Sequence, residues 1–211
     1  MKITRTEDII KIEQQQFIDK LLNYFNMKDC KPKRTPMEKG FQYNDKAKIL
    51  TNIPYRQLIG ALMYLATTSR PDISYAVSYL SRFLDRVTEE TWTAGKRVLR
   101  YLQGTKTLGL TYTKHTNSDV ILEGYSDADW ATNKESRKSI SGSIILYGNN
   151  PISWSSKKQT CVALSTAEAE YVAAAQTAQD LSLSSSRFLS FGYRPLSYFS
   201  SFPCSVPLGT S

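Results

Sequence analysis

At Gly104 the hydrophobic pattern changes period, and no single kind of element accommodates both halves of the chain. From Gln14 to Gly104 most apolar residues recur at steps of three and four; beyond it they fall into short alternating runs separated by polar or Gly/Asn turns. A repeat near 3.6 turns one face of a helix to the core, and a repeat of two does the same for a strand. The chain therefore reads as α+β, with helices first and strands after.

In the helical half, QQQFIDKLLNYF (14–25) places Phe17, Leu21, Tyr24 and Phe25 on one stripe, predicting an amphipathic helix after a short opening strand. KDCKPKRTPMEKG then predicts a polar linker, because Pro32 and Pro36 break helices and the Lys/Arg cluster stays hydrated. YRQLIGALMYLATTSRPDISYAVSYLSRFL predicts two helices. The first buries Leu58, Leu62 and Leu65 or Ala66; the second starts after SRPD with Asp72 as cap and buries Ile73, Val77, Leu80 and Leu84. A third opens at TEETW, where Thr88 caps and Glu89 and Glu90 favour the dipole, and stops at Gly104.

After Gly104, LGLTYT, DVILEGYSD, SISGSIILYG and PISWSSK read as β-rich runs, with GNNP the clearest turn; short connections imply an antiparallel meander. STAEAEYVAAAQTAQDL returns to helix, with Ser165 as cap and Glu168 closing a capping box. Residues 182–211 lack Asp, Glu and Lys and are crowded with Ser, Phe, Tyr and Pro. They predict a disordered tail, with Pro195, Pro203 and Pro207 hindering any strand that would cover the open edge of the meander.

Charge is uneven along the chain. Residues 1–118 hold 20 Lys/Arg against 11 Asp/Glu, and residues 119–180 hold 5 against 8. A basic surface beside a carboxylate cluster suits an enzyme that grips phosphates and binds divalent metal, but solvated helical charge would give the same count. Cys30, Cys161 and Cys204 are too few and too scattered for a disulfide framework or a zinc site, and read as reduced thiols. With no apolar run of membrane-spanning length and no secretion signal at MKITRTEDII, the expectation is a soluble protein of cytoplasm or nucleus.

Within EGYSDADWAT, Asp127 and Asp129 end an apolar strand, and Glu170 follows 43 positions later in a helix. They are turn and helix acids, or they hold something positive. Two-metal phosphoryl chemistry needs converging carboxylates around ions roughly 3.5–4 Å apart, and a strand acid facing a helix acid is one way to build that.

YRQLIGALMYLATTSRPDISYAVSYLSRF, GYSDADWA, ISWSSKKQ and LSTAEAEYVAAA, in that order, resemble the Pol polyprotein of copia-type long-terminal-repeat retrotransposons, nearly continuously from Lys2 to Leu181. The resemblance implies that 1–104 is the end of the reverse transcriptase palm with thumb and connection. Residues 105–181 would be a partial ribonuclease H: an incomplete three-stranded antiparallel sheet with one helix. It implies Asp127 and Glu170 as catalytic, magnesium-holding residues, an RNA/DNA hybrid or primer-template as partner, and Asp129 and Glu168 as structural neighbours. The family's Tyr-X-Asp-Asp hairpin is not in this sequence, and no acid follows Leu181, so the expectation is a fragment inactive alone. A catalytically dead nucleic-acid-binding remnant and a pseudogene product are the alternatives.

Lys31, Lys33 and Arg34 in the basic linker, Arg97 and Arg100 on the third helix, and Lys157 and Lys158 at a hairpin edge are candidate phosphate contacts, with solvated charge as the other reading. Trp92, Trp130 and Trp154 read as core aromatics. His115 and Ser165 have no nucleophilic context.

Overall fold

The computed structural model describes residues 1–114, 121–130, 137–190 and 196–201, and the chain divides into two units, Met1–Lys114 and one beginning at His115. His115 itself and Cys204 lie outside the described residues. The division comes ten residues later than the change of period, because LGLTYT does not join the later strands. It supplies β3 (Leu110–Thr113), which pairs antiparallel with β2 (Ile9–Glu13), itself paired with β1 (Lys2–Arg5). The opening is thus a hairpin rather than one strand. Ile3, Ile12 and Leu110 stand opposite one another across this sheet.

Between β2 and β3 run α1 (Gln15–Tyr24), α2 (Tyr55–Thr68), α3 (Ser74–Leu80) and α4 (Glu89–Gly104), which share one core. Helix α1 buries Ile18, Leu21 and Leu22; Tyr24 is exposed, its hydroxyl donating to Gln57 Oε1 at 2.9 Å, so the buried stripe is rotated from the expected one. Leu58, Leu62, Leu65 and Ala66 of α2 are all buried, as are Ile73, Val77 and Leu80 around α3, with Leu84 packed at the edge of the core. Thr88 caps α4 as expected, accepting from Thr91 N–H at 3.4 Å, while its own N–H donates to Thr91 Oγ1 at 2.9 Å.

Asp72 is not a cap. It sits in a 3₁₀ turn (Pro71–Ile73) that makes no side-chain cap bond. Its carboxylate instead receives Arg70 Nε at 2.9 Å, Arg70 Nη2 at 2.7 Å and the Tyr101 hydroxyl at 2.9 Å. The Arg70 side chain is 2% exposed and also donates to the Thr105 carbonyl at 3.0 Å and Thr105 Oγ1 at 2.7 Å. An acid two residues after an arginine pairs with it more strongly than it caps a single turn of 3₁₀ helix.

The second unit is a four-stranded sheet in the order β6-β5-β4-β7, with helix α5. Strands β4 (Ile121–Asp129), β5 (Ile140–Tyr147) and β6 (Asn150–Lys158) form the expected antiparallel meander, closed at its second turn by Gly148 and Asn149 with φ of 54° and 62°. The tail does not match its expectation. Helix α5 (Thr166–Ser190) continues past Leu181, and Leu196–Ser201 forms β7, paired parallel to β4 from Ile121–Leu196 to Ser126–Ser201. Two physical reasons account for this. Two of the serine hydroxyls are satisfied inside the helix, Ser184 donating to the Asp180 carbonyl and Ser186 to that of Ser182, each at 2.9 Å. The three prolines all fall outside the six residues of β7, so no amide donor is missing from the ladder. Among the described residues no helix is long and apolar enough to cross a membrane.

Replacing Arg70 by Ala leaves the Asp72 carboxylate with the Tyr101 hydroxyl alone and removes the donor to the Thr105 carbonyl. We expect urea denaturation to show a loss of about 3–5 kcal/mol, with Arg70→Lys recovering only part because one ammonium cannot span both partners.

Candidate active site

Strand β4 carries Asp127 opposite Gly142 of β5, and Asp129 opposite Ile140. Burial alternates along it: Leu122, Gly124 and Ser126 are buried, whereas Asp127 and Asp129 are exposed. A Cβ on Gly124 would meet Thr177 Cγ2 at 3.2 Å and Leu181 Cδ1 at 3.5 Å, so the buried set faces α5. Asp127 projects from the strand end just past Ser126, the last residue paired to β7.

Glu170 reaches this strand end from the beginning of α5. Burial strips hydration from its carboxyl and pushes it above the usual carboxylate range; a hydrogen bond from the Ala128 N–H opposes that shift, and the negative charge of Asp127 adds to it. Oε2 of Glu170 is buried with no donor. The structure therefore brings Asp127 and Glu170 within electrostatic reach of one another.

The neighbouring acids do different work. Glu168 holds the start of α5: its N–H donates to Ser165 Oγ at 3.1 Å, and its carboxylate accepts from Leu164 N–H at 2.6 Å. The capping role is as expected, with the return bond one residue earlier than in a standard capping box. Asp129 stays at the exposed strand end.

Two further side chains shape the site and carried no spacing signal in the sequence. Gln159, almost fully buried, donates through Nε2 to Ser141 Oγ at 2.9 Å and to the Ala169 carbonyl at 2.8 Å, so the residue before Glu170 is anchored to β5. Trp130, expected in the core, is 38% exposed, and its Nε1 donates to the Ala163 carbonyl at 3.1 Å, tying the end of β4 to the loop that caps α5. Trp92 does pack as expected, edge-on to Phe25 and Tyr55.

The candidate phosphate contacts divide. Arg97 pairs with Glu38 at 2.5 Å and donates to Thr35 Oγ1 at 3.0 Å, while Arg100 Nε donates to the Lys31 carbonyl at 2.7 Å. These arginines lace the basic linker onto α4. Lys31 and Arg34 remain exposed on that linker, and Lys33 is half-buried beside a cavity of about 550 Å³ that mixes Lys96, Arg97 and Arg100 with Glu38, Glu89 and Glu90. Lys157 is exposed and Lys158 half-buried on β6, an edge strand.

Among the described residues no group of three or more His, Cys, Asp or Glu is placed to hold a metal ion. Asp127 and Glu170 nevertheless suit a hard cation as a pair: both are oxygen donors, and the donorless Oε2 of Glu170 is the type of atom a cation satisfies.

Comparison with known proteins gives the class. The chain is 41% identical over 191 residues to the retrovirus-related Pol polyprotein from transposon TNT 1-94 of Nicotiana tabacum, a match covering 86% of this chain and 14% of that protein. It is 42% identical over 187 residues to the corresponding polyprotein from transposon RE1 of Arabidopsis thaliana, covering 88% and 13%. An uncharacterized mitochondrial protein of Arabidopsis thaliana is 39% identical over 175 residues, covering 82% of this chain and 72% of that protein. The chain belongs to the Pol polyprotein family of copia-type retrotransposons. It spans about one-seventh of the length of the two polyproteins. No protein-family model and no solved structure matches it.

The raised Glu170 carboxyl fixes the sign of a pH effect. Its folded-state value lies above the ordinary 4.5, so its contribution to stability is fully present below that value and is lost as pH rises through the folded one. In buffer containing a chelator, Glu170→Gln should therefore melt like the parent near pH 4 and above it at pH 7. An equal difference at both pH values in thermal denaturation would contradict the assignment.

Proposed function

We propose that this chain is the part of a copia-type Pol polyprotein in which reverse transcriptase ends and ribonuclease H begins. Met1–Lys114 is read as the end of the palm with thumb and connection, and the unit from His115 as a ribonuclease H-like unit directed at the RNA strand of an RNA/DNA hybrid. Asp127 and Glu170 are the residues that would hold magnesium.

The observation carrying this reading is the state of Glu170: a partly buried carboxyl beside a second acid, with one oxygen lacking any donor. A protein held together only by packing gains nothing from that arrangement, whereas a cation relieves both the repulsion and the missing hydrogen bond. When bound, magnesium would acidify a water and stabilise the leaving oxygen. The chain's own contribution is orientation. Gln159 fixes the first turns of α5 against β5, and Trp130 fixes the end of β4 against the α5 cap. The parallel strand β7 on the open edge of β4 also supports the reading, since a mixed sheet is what a ribonuclease H unit requires. Residues 182–211 add no further acid, so the available carboxylate set is small.

Magnesium should raise the melting temperature of the chain and have no such effect on Asp127→Asn or Glu170→Gln. Absence of a magnesium-dependent shift in the parent would refute the cation site. With two carboxylates of the matched set, cleavage of a fluorescent RNA/DNA hybrid should be no faster than for Asp127→Asn; cleavage above that control would show that the chain supplies more catalytic groups than these.

A further inference from the structure

We infer that the cavity of about 550 Å³ between α4 and the basic linker is a docking cleft for an extended peptide of another protein, one that carries a basic and an acidic residue four positions apart with an apolar residue between them. The cleft lies wholly within the first unit, so the inference stands or falls separately from the cation site in the second.

The arrangement follows from the register of one helix. Glu89, Thr93, Lys96 and Arg100 succeed one another at steps of four, three and four, so they share the face of α4 that forms one wall of the cleft. Eleven positions separate Glu89 from Arg100, about 16 Å along the axis. Acids therefore stand at one end, Glu89 with Glu90, and cations at the other, where Lys33 of the linker joins Lys96 and Arg100. Acids at the start of a helix and bases towards its end suit the macrodipole whichever way they face. The dipole does not account for their lining a recess, nor for its apolar part: Ala94, between the two charged ends, is buried, and Met27 and Phe41 line the same cavity. A cavity of this size with apolar lining and a few placed polar groups is the usual form of a binding site.

The facing wall is already fastened to α4. Arg97 pairs with Glu38 and donates to Thr35, and Arg100 Nε donates to the Lys31 carbonyl. The Lys33 N–H donates to the Arg100 carbonyl at 3.3 Å, and Gln103 Nε2 to that of Lys28 at 2.8 Å. A cleft whose walls are joined beforehand loses little further freedom when it is filled.

Charge order selects the ligand. A phosphodiester strand lying along the cleft would meet Glu38, Glu89 and Glu90 as well as the cations, and a uniformly basic segment would meet Lys33, Lys96 and Arg100. A small zwitterion is too short to reach both ends. In an extended peptide, residues four apart span about 13 Å and point to the same side, with the residue midway between them, and side-chain length covers the remaining distance. Arg97 Nε is buried without an acceptor in a residue that lines the cleft, and a carbonyl of the docked backbone would supply one.

The test uses the whole chain at low ionic strength with three fluorescein-labelled peptides followed by anisotropy: Gly-Lys-Ser-Leu-Ser-Glu-Gly, and the same peptide with glutamate in place of its lysine or lysine in place of its glutamate. The first should bind at least fivefold more tightly than either uniformly charged peptide. Glu89→Gln with Glu90→Gln should weaken the first peptide more than fivefold without weakening the two-glutamate one, and Lys33→Gln with Lys96→Gln should weaken the first without weakening the two-lysine one. Thr93→Tyr, an exposed change that fills the cleft between its charged ends, should abolish binding of all three. Lys46→Gln with Lys48→Gln, exposed cations outside the cleft, should change binding less than twofold. Circular dichroism checks that each variant folds; if Thr93→Tyr does not, the two Gln pairs decide, since they remove charge and no core side chain. The inference is overturned if the parent fails to bind the first peptide at millimolar concentration, if the three peptides bind alike, if the Gln pairs leave their ranking unchanged, or if an RNA/DNA hybrid displaces the peptide. It is also overturned if sedimentation shows the parent associating with itself and the Gln pairs abolish that association, because the cleft would then hold a second copy of the chain.

Discussion

A buried guanidinium governs how the first unit closes. Arg70 leaves α2 and reaches Asp72, two residues on, and Thr105, immediately beyond α4, so one side chain fixes both the turn into α3 and the exit from α4. Taking a full charge out of water costs several kcal/mol unless its donors are satisfied, and here Nε, Nη1 and Nη2 all have acceptors, with the Tyr101 ring 5.7 Å from the guanidinium carbon. The chain enters β3 only five residues after Thr105. The direction in which Arg70 releases α4 therefore determines whether Leu110 meets Ile12, and with it the register of the sheet.

The second unit holds a local conflict rather than a fully satisfied network. Asp127 and Glu170 repel, Oε2 of Glu170 lacks a donor, and buried Ser126 Oγ lacks a partner on the same strand. Well-packed structures seldom leave such groups beside one another unless a ligand or a reaction uses them. The surroundings hold the conflict in place, since Gln159 and Trp130 brace the two elements that carry the acids.

What could be read in the sequence follows from the range over which each signal acts. Thr88 and Ser165 are legible as caps because capping depends on residues three or four positions away, and the faces of α2 and α3 because their periodicity is local. Asp72 was misread because an acid at a helix start looks the same whether it caps or pairs, and the deciding partners, Arg70 and Tyr101, reach it through the fold. The serine-rich stretch misled for a related reason: serine lowers helix propensity, yet its hydroxyl can bond back to the preceding turn when packing already holds the helix. For the site, Asp127 and Glu170 came from the family resemblance and not from their spacing. Gln159 carries no local signal and Trp130 reads as a core aromatic, since the roles of both depend on contacts through the fold that no short motif encodes. Arg97 and Arg100 were legible as cations but not as the ties that hold the linker to α4.

The late strand β3 has a consequence for the order of events during folding. Its partner β2 lies on the far side of all four helices, so the ladder between them closes the longest loop in the unit, while the contacts within each helix and between α2 and α3 are short-range. Loop-closure entropy delays pairings of that kind until the intervening chain has collapsed. The helices can then form and dock while β1 and β2 wait as an isolated two-stranded hairpin, which is marginal by itself. During synthesis the wait is enforced, because β2 leaves the ribosome long before Leu110 exists, and the unpaired edge of β2 stays open to other chains throughout that interval.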